Sequence, residues 1–403
     1  MGTFSSGNIA IAFNDNDGKA ERILANGTDI RTIVFQLTSM PSIGRAPVLP
    51  DELHQLANQV FDAIEDLVRQ GLNTFVAVSA ADRFFESFTP LYRYLSSFGF
   101  QGAASHTWVQ LIRWTLEWEK SHSTQIHKGT PFFFLGESLI YQGDIETAFL
   151  FIYNAVEEDK SSYQAVGQPD RYKQAPAYMT ATIVDNPANV LYKPVVRRIR
   201  EAISNYATSF SQATNSPYTL ADFQTNFLDK PDLEKLVFFF VYNMYVHIQR
   251  NRFQQVSQFF DNDFTKIKNL DSIFNMCLII EELLQHRFGQ GKDKYYITNG
   301  ILDLAANKTW RTWVAKNEAW EQFLGKLGGV AIGPDPKTTV PALLTSNITY
   351  AGQPLKQELR YLLLAWHLRN YGGHNIRVQD VLVKSYDQIF ECLIYALFIA
   401  GQP

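Results

Sequence analysis

The chain has 403 residues, 46% of them hydrophobic and 14% aromatic, with 30 Phe and 19 Tyr. That composition excludes a disordered polymer, and the length suits two or three domains with buried cores. The formal net charge of −4 excludes attraction of the whole molecule to nucleic acid, so any RNA contact has to be local.

The first 49 residues are the least helical by pattern. IAIAF (Ile9–Phe13) and TIVFQL (Thr32–Leu37) read as short strands, and the Asx-rich NDNDG (Asn14–Gly18) reads as a turn. NDNDG lacks the spaced acidic ligands and closing Glu of a calcium-binding loop. MGTFSSGNIA has neither a basic stretch nor a long apolar run, and Gly7 stands where a myristoylation motif needs Ser or Thr.

From Pro50 the periodicity is helical. Leu53, Leu56, Val60, Ile64 and Leu67 form one stripe, Asp51 and Glu52 suit a helix start, and Gly71 suits its end. Further helices are expected near 79–97, 104–121, 192–210, 231–250 and 270–287. The longest apolar runs, FLFIYNAV and LVFFFVYNMYV, fall short of the roughly 18 residues of a membrane span. A soluble, cytoplasmic protein with no membrane partner is expected.

Residues 132–155 pack small and large apolar positions in a hairpin pattern. Phe132, Leu135, Gly136, Leu139, Gly143, Ile145, Ala148, Ile152 and Ala155 are similar in spacing to one tetratricopeptide repeat. Gly136 and Ala148 would let two helices approach closely, and Gly143-Asp144 would make the turn. An ordinary helical hairpin fits the same residues. Residues 159–191, rich in Ser, Gln, Pro, Asp and Asn, read as a connector. Residues 328–353 read as a second long loop, and the Trp-bearing stretch 294–326 as short helices.

Chemistry concentrates in Lys356–Ala400. Leu362, Ala365, Trp366 and Arg369 are spaced i, i+3, i+4, i+7, which puts a guanidinium at the end of an apolar stripe. A charge placed there needs a partner or a task. Gly372-Gly373 is expected to break the helix, and Val378, Val381, Leu382, Ser385, Ile389, Cys392, Leu393 and Ala396 line the next one. A short turn between the two would bring Arg369 and His374 together.

Arg369-Asn370-Tyr371-Gly372-Gly373-His374 resembles the R-x(4–6)-H motif of HEPN domains, in which a polar residue, often Asn, follows the Arg. Arg360 and His367 also fit the bare spacing, but Tyr361 follows that Arg and the helix runs through both. The resemblance implies a C-terminal helical bundle over 231–403, interrupted by an inserted loop region at about 290–353. It implies a catalytic group of Arg369, Asn370 and His374, with an acidic residue, Glu281 or Glu282, in support from the helix DSIFNMCLIIEELLQHRF (271–288). It also implies pairing of two copies, an RNA substrate, and a setting in bacterial defence or a toxin–antitoxin system. The chemistry is coherent without metal or cofactor. Imidazole serves as acid or base near neutral pH, and guanidinium stays charged and grips phosphate oxygens.

The full expectation is a mainly α chain. A small β-containing segment (1–49) precedes a partly repeat-like helical region (50–230), and the HEPN-like bundle (231–403) follows. The helical region would sense a trigger or hold a regulatory protein. The competing reading is a non-catalytic helical adaptor, or a HEPN-type fold that binds a nucleotide or partner without cutting. Weaker signals are Arg197, Arg198 and Arg200, which could touch RNA phosphates or form a solvated helix face. His122 and His127 lack a zinc pattern, and Cys277 and Cys392 sit in apolar helical patterns as small core residues.

Overall fold

The structure is a computed structural model that describes residues 2–14, 18–38, 51–75, 85–123, 125–186, 193–254, 263–288, 296–306, 313–374 and 380–402. It is mainly α with a small antiparallel sheet at the N-terminus. Two compact units make up the chain, Met1–Ala181 and Thr182–Pro403. Residues 182–230 thus belong to the C-terminal unit, and the expected division at 230/231 falls inside it.

In the N-terminal unit, β1 (Gly2–Ser6), β2 (Ile9–Phe13), β3 (Ala20–Ala25) and β4 (Thr28–Asp29) form an antiparallel meander. IAIAF is the expected strand. The Asn14–Gly18 connection is closed by Asn14 N–H donating to Lys19 C=O and Gly18 N–H donating to Asn14 C=O, both at 2.9 Å; residues 15–17 lie outside the described set. TIVFQL, expected as a strand, lies instead in α1 (Ile30–Thr38). Asp29 explains the change: its carboxylate accepts from Arg31 N–H at 2.8 Å, a helix-starting contact that outweighs the β-branched composition.

The sheet packs on α2 (Asp51–Phe75) and α3 (Thr89–Ser97). Gly71 does not end α2, which continues to Phe75. A Cβ at Gly71 would lie 3.2 Å from Phe13 Cζ, so the glycine serves a close approach of helix and sheet rather than a cap. Next come α4 (Gln101–His122), α5 (Gly129–Gln142) and α6 (Ile145–Ala165). The α5–α6 pair is the expected hairpin. Gly143 turns it at φ 85°, and Asp144 caps α6 by accepting from Thr147 N–H. At Gly136 a Cβ would meet Ile152 Cγ1 at 2.8 Å and Ala148 O at 3.0 Å.

The expected connector at 159–191 is largely structured. Helix α6 runs through to Ala165, a 3-10 turn follows at Arg171–Gln174, and α7 spans Pro176–Ala181. Its polar residues are engaged: Asp159 pairs with His127, and Lys173 with Asp170. Residues 187–192 lie outside the described set.

The C-terminal unit centres on α11 (Asp263–Phe288), α15 (Gln357–His374) and α17 (Tyr386–Gly401), which pack on one another. Around them lie α8 (Lys193–Thr214), α9 (Leu220–Phe223), α10 (Glu234–Gln254), α12 (Ile297–Ala306), α13 (Trp313–Gly325), α14 (Pro336–Thr345) and α16 (Asp380–Lys384). Phe210, Tyr218, Phe223, Phe240 and Phe398 form one aromatic cluster, edge-to-face except for the tilted Tyr218–Phe398 pair.

The described part of the expected loop region 290–353 is ordered structure. Besides α12, α13 and α14 it holds β5 (Leu327–Gly328) and β6 (Thr349–Tyr350), which pair antiparallel, with β7 (Gln353–Pro354) beside β6. Two local signals explain it. Asp335 accepts from Lys337 N–H with Pro336 at the first helical position, and Ala351-Gly352 carries two positive φ angles between β6 and β7.

Candidate functional site

The site forms where α15 faces α11. Cys277, Glu281 and Leu284 fall at i, i+4 and i+7 of α11, and Cys277 and Leu284 are fully buried. On α15, Leu362, Ala365 and Leu368 are likewise buried. Arg369 reaches across, and its Nη2 donates to Glu281 Oε1 at 3.1 Å. The side chains are 29% and 15% exposed, so the pair is neither a surface ion pair nor a sealed one. Arg369 Nε is buried with no hydrogen-bond partner. Burial and the Glu281 carboxylate push the Cys277 thiol up, with Arg369 opposing. The buried thiol is therefore an inert packing group.

Gly372-Gly373 does not break the helix, contrary to expectation: α15 continues through both and ends at His374. Five positions along an α-helix turn about 140° around its axis. The short turn that was to set Arg369 and His374 side by side is therefore absent. The preceding α15 residues pack their apolar face on α11 and α17. Asn370 is half-buried beside Arg369, and the side chain of His374 lies outside the described set.

Of the two candidate acids, Arg369 takes Glu281. Glu282 is turned to a separate cleft of about 440 Å³ with Asp232, Lys235, Phe239 and His286. There His286 and Asp232 are hydrogen-bonded, which holds the Asp232 carboxyl below its usual range. The three basic candidates on α8 separate as well. Arg197 and Arg198 are exposed, whereas Arg200 donates to Ile183 O and Gln224 Oε1, both at 3.1 Å, and is a packing residue. Of the rejected pair, Arg360 turns to α14, where its Nε donates to Leu343 O, and His367 is buried.

Sequence reasoning missed a buried polar network in this unit. His247 stacks on Phe390 at 3.7 Å between centroids, its Nε2 is 3.0 Å from Tyr206 Oη, and its Nδ1 is 3.4 Å from Tyr386 Oη. Ser272 Oγ lies 3.1 Å from the same Tyr386 hydroxyl, and the Arg250 guanidinium covers the Tyr386 ring. The four helices that supply these groups are far apart in sequence, so no local pattern announces them. Among the described residues no group of three or more His, Cys, Asp or Glu side chains is placed to hold a metal. No helix among them is long and apolar enough to cross a membrane. Comparison with family models, with curated proteins and with solved structures finds no match to this chain.

Proposed function

We propose that the C-terminal unit is a metal-independent endoribonuclease. The observation that carries the reading is the Arg369–Glu281 pair. A guanidinium at the end of an apolar helix face is held in a fixed direction by one carboxylate, with Asn370 on the same turn and His374 at the helix end. In the reaction a ribose 2′-oxygen attacks the adjacent phosphorus, and the bond from phosphorus to the 5′-oxygen breaks. One proton leaves the 2′-hydroxyl and another reaches the departing 5′-oxygen. The products are a 2′,3′-cyclic phosphate and a 5′-hydroxyl. His374 handles a proton, Arg369 stabilises the charge developing on the phosphoryl oxygens, and Asn370 orients the phosphate. Because Arg369 and His374 do not share a helix face, two copies of the unit facing one cleft complete the set in this reading. RNA is the substrate, and bacterial defence or a toxin–antitoxin pair is the setting.

The competing adaptor reading uses the same ion pair as a plain cross-link between α11 and α15. Degradation of total cellular RNA in EDTA separates the two. Arg369→Ala and His374→Ala should each lower the rate by about 100-fold or more, and wild-type products should carry cyclic phosphate ends. A dimeric wild-type protein that leaves all RNA intact would hand the case to the adaptor. Cleavage that survives both substitutions would place the chemistry elsewhere.

A further inference from the structure

A polar-rimmed groove in the N-terminal unit is independent of the nuclease reading. It measures about 600 Å³ and runs between α4, the 125–128 loop and one face of α6. Asn154, Glu157, Glu158, Ser161 and Ala165 fall at helical spacing along α6, a length of roughly 16 Å at 1.5 Å per residue. Leu116, 42% exposed on α4, Phe132 and Ala165 give it apolar walls.

Its charged lining has a negative balance, with Glu157 and Glu158 against Lys128. Lys128 is the cation of the lining, and its charge is already taken. Its Nζ donates to Glu119 Oε1 and to Ile126 O, both at 2.7 Å, and lies 3.4 Å from Glu158 Oε1. An ammonium group has three protons, so those acceptors use its capacity. His127 is likewise tied to Asp159 at 2.7 Å. These bonds fix the loop, and Gly129 has no room for a Cβ between His127 and Asp159. What faces solvent is a groove in which apolar Leu116, Phe132 and Ala165 alternate with polar side chains, and its exposed charge is the carboxylate of Glu157; Glu158 beside it is paired with Lys128.

We propose that this groove docks a basic, amphipathic segment of a partner protein. Aliphatic side chains would lie on Leu116, Phe132 and Ala165, and a Lys or Arg would meet Glu157. An acidic segment is repelled by the same carboxylates, so the surface discriminates by sign as well as by shape. A fully apolar segment would desolvate the exposed Glu157 carboxylate without compensation.

Fluorescence anisotropy with the full-length chain tests this, using a labelled peptide of alternating Lys and Leu and a matching peptide of alternating Glu and Leu. The basic peptide should bind, and the acidic one should not at the same concentrations. Glu157→Lys and Leu116→Gln should each weaken binding about tenfold or more with melting temperatures unchanged. Glu146→Lys, exposed on the same helix but outside the groove, should leave binding within about twofold. The proposal is overturned if wild type does not bind the basic peptide, if both peptides bind alike, or if Glu146→Lys weakens binding as much as Glu157→Lys.

Discussion

Arg369 shows how a single side chain can be read before its partner is known. An apolar stripe that ends in a guanidinium demands a compensating charge, and the demand is met by Glu281. The choice between Glu281 and Glu282 was also latent in the sequence. Glu281 is in register with Cys277 and Leu284 on the buried stripe, while Glu282 shares its face with Gln285 and His286. Because the pair is half-screened, Glu281→Ala should cost about 1–3 kcal/mol in urea unfolding, most of it from the stranded Arg369. Replacing both members by apolar residues, Arg369→Met with Glu281→Leu, should recover most of that loss. If the double variant is as stable as wild type, the fold does not need the charges. If it is as unstable as Glu281→Ala, the pair holds the helices together for structural reasons alone.

At the scale of elements, local physics was legible wherever one pattern dominated. The α5–α6 hairpin followed from Gly136, Gly143 and Ala148. Gly136→Ala should destabilise the N-terminal unit by about 1–3 kcal/mol, since a methyl 2.8 Å from Ile152 Cγ1 outweighs the roughly 1 kcal/mol gained in helix propensity. Gly143→Ala, which meets nothing within 4 Å but sits at φ 85°, should cost about 1 kcal/mol for conformational reasons alone. Equal effects of the two in chemical denaturation would mean that the helices do not approach as closely as described. Elements were misread where two signals competed. In α1 a capping Asp29 overrode β-branched residues. At Gly71 tertiary packing carried the helix through a glycine that reads as a stop, and α15 likewise runs through Gly372-Gly373. Near the start of the polar stretch, Glu158 and Asp159 are paired across to Lys128 and His127, and sequence composition cannot report a partner some 30 residues away.

At the scale of the whole molecule, stability of the C-terminal unit is tied to pH through two buried imidazoles. Burial pushes His247 down to about 3, with Arg250 adding to the shift. Burial pushes His367 down to about 4 against a smaller opposing pull from Asp335. Both are neutral in the folded unit, whereas in the unfolded chain each titrates near 6.5. A depressed folded value means that the stabilisation is fully present above the unfolded value and is lost as pH falls toward the folded one. Between pH 6 and 4.5 the unfolded chain therefore holds roughly 1.5 to 1.8 more protons than the folded unit at these positions. Stability should fall by roughly 2.3 kcal/mol per pH unit from this source. His367 is the cleaner one to remove, because its Nε2 is buried without a hydrogen-bond partner and no hydroxyl is stranded by its loss. His247 by contrast sits between Tyr206 and Tyr386. His367→Leu should leave the pH 7 stability of the unit nearly unchanged and should about halve the slope, to roughly 1.2 kcal/mol per pH unit. Urea unfolding of both proteins at pH 7, 6, 5.5 and 4.5 reads the two quantities directly. A slope that is the same with and without His367 would mean that this imidazole is already charged in the folded unit and that Asp335, not burial, governs it.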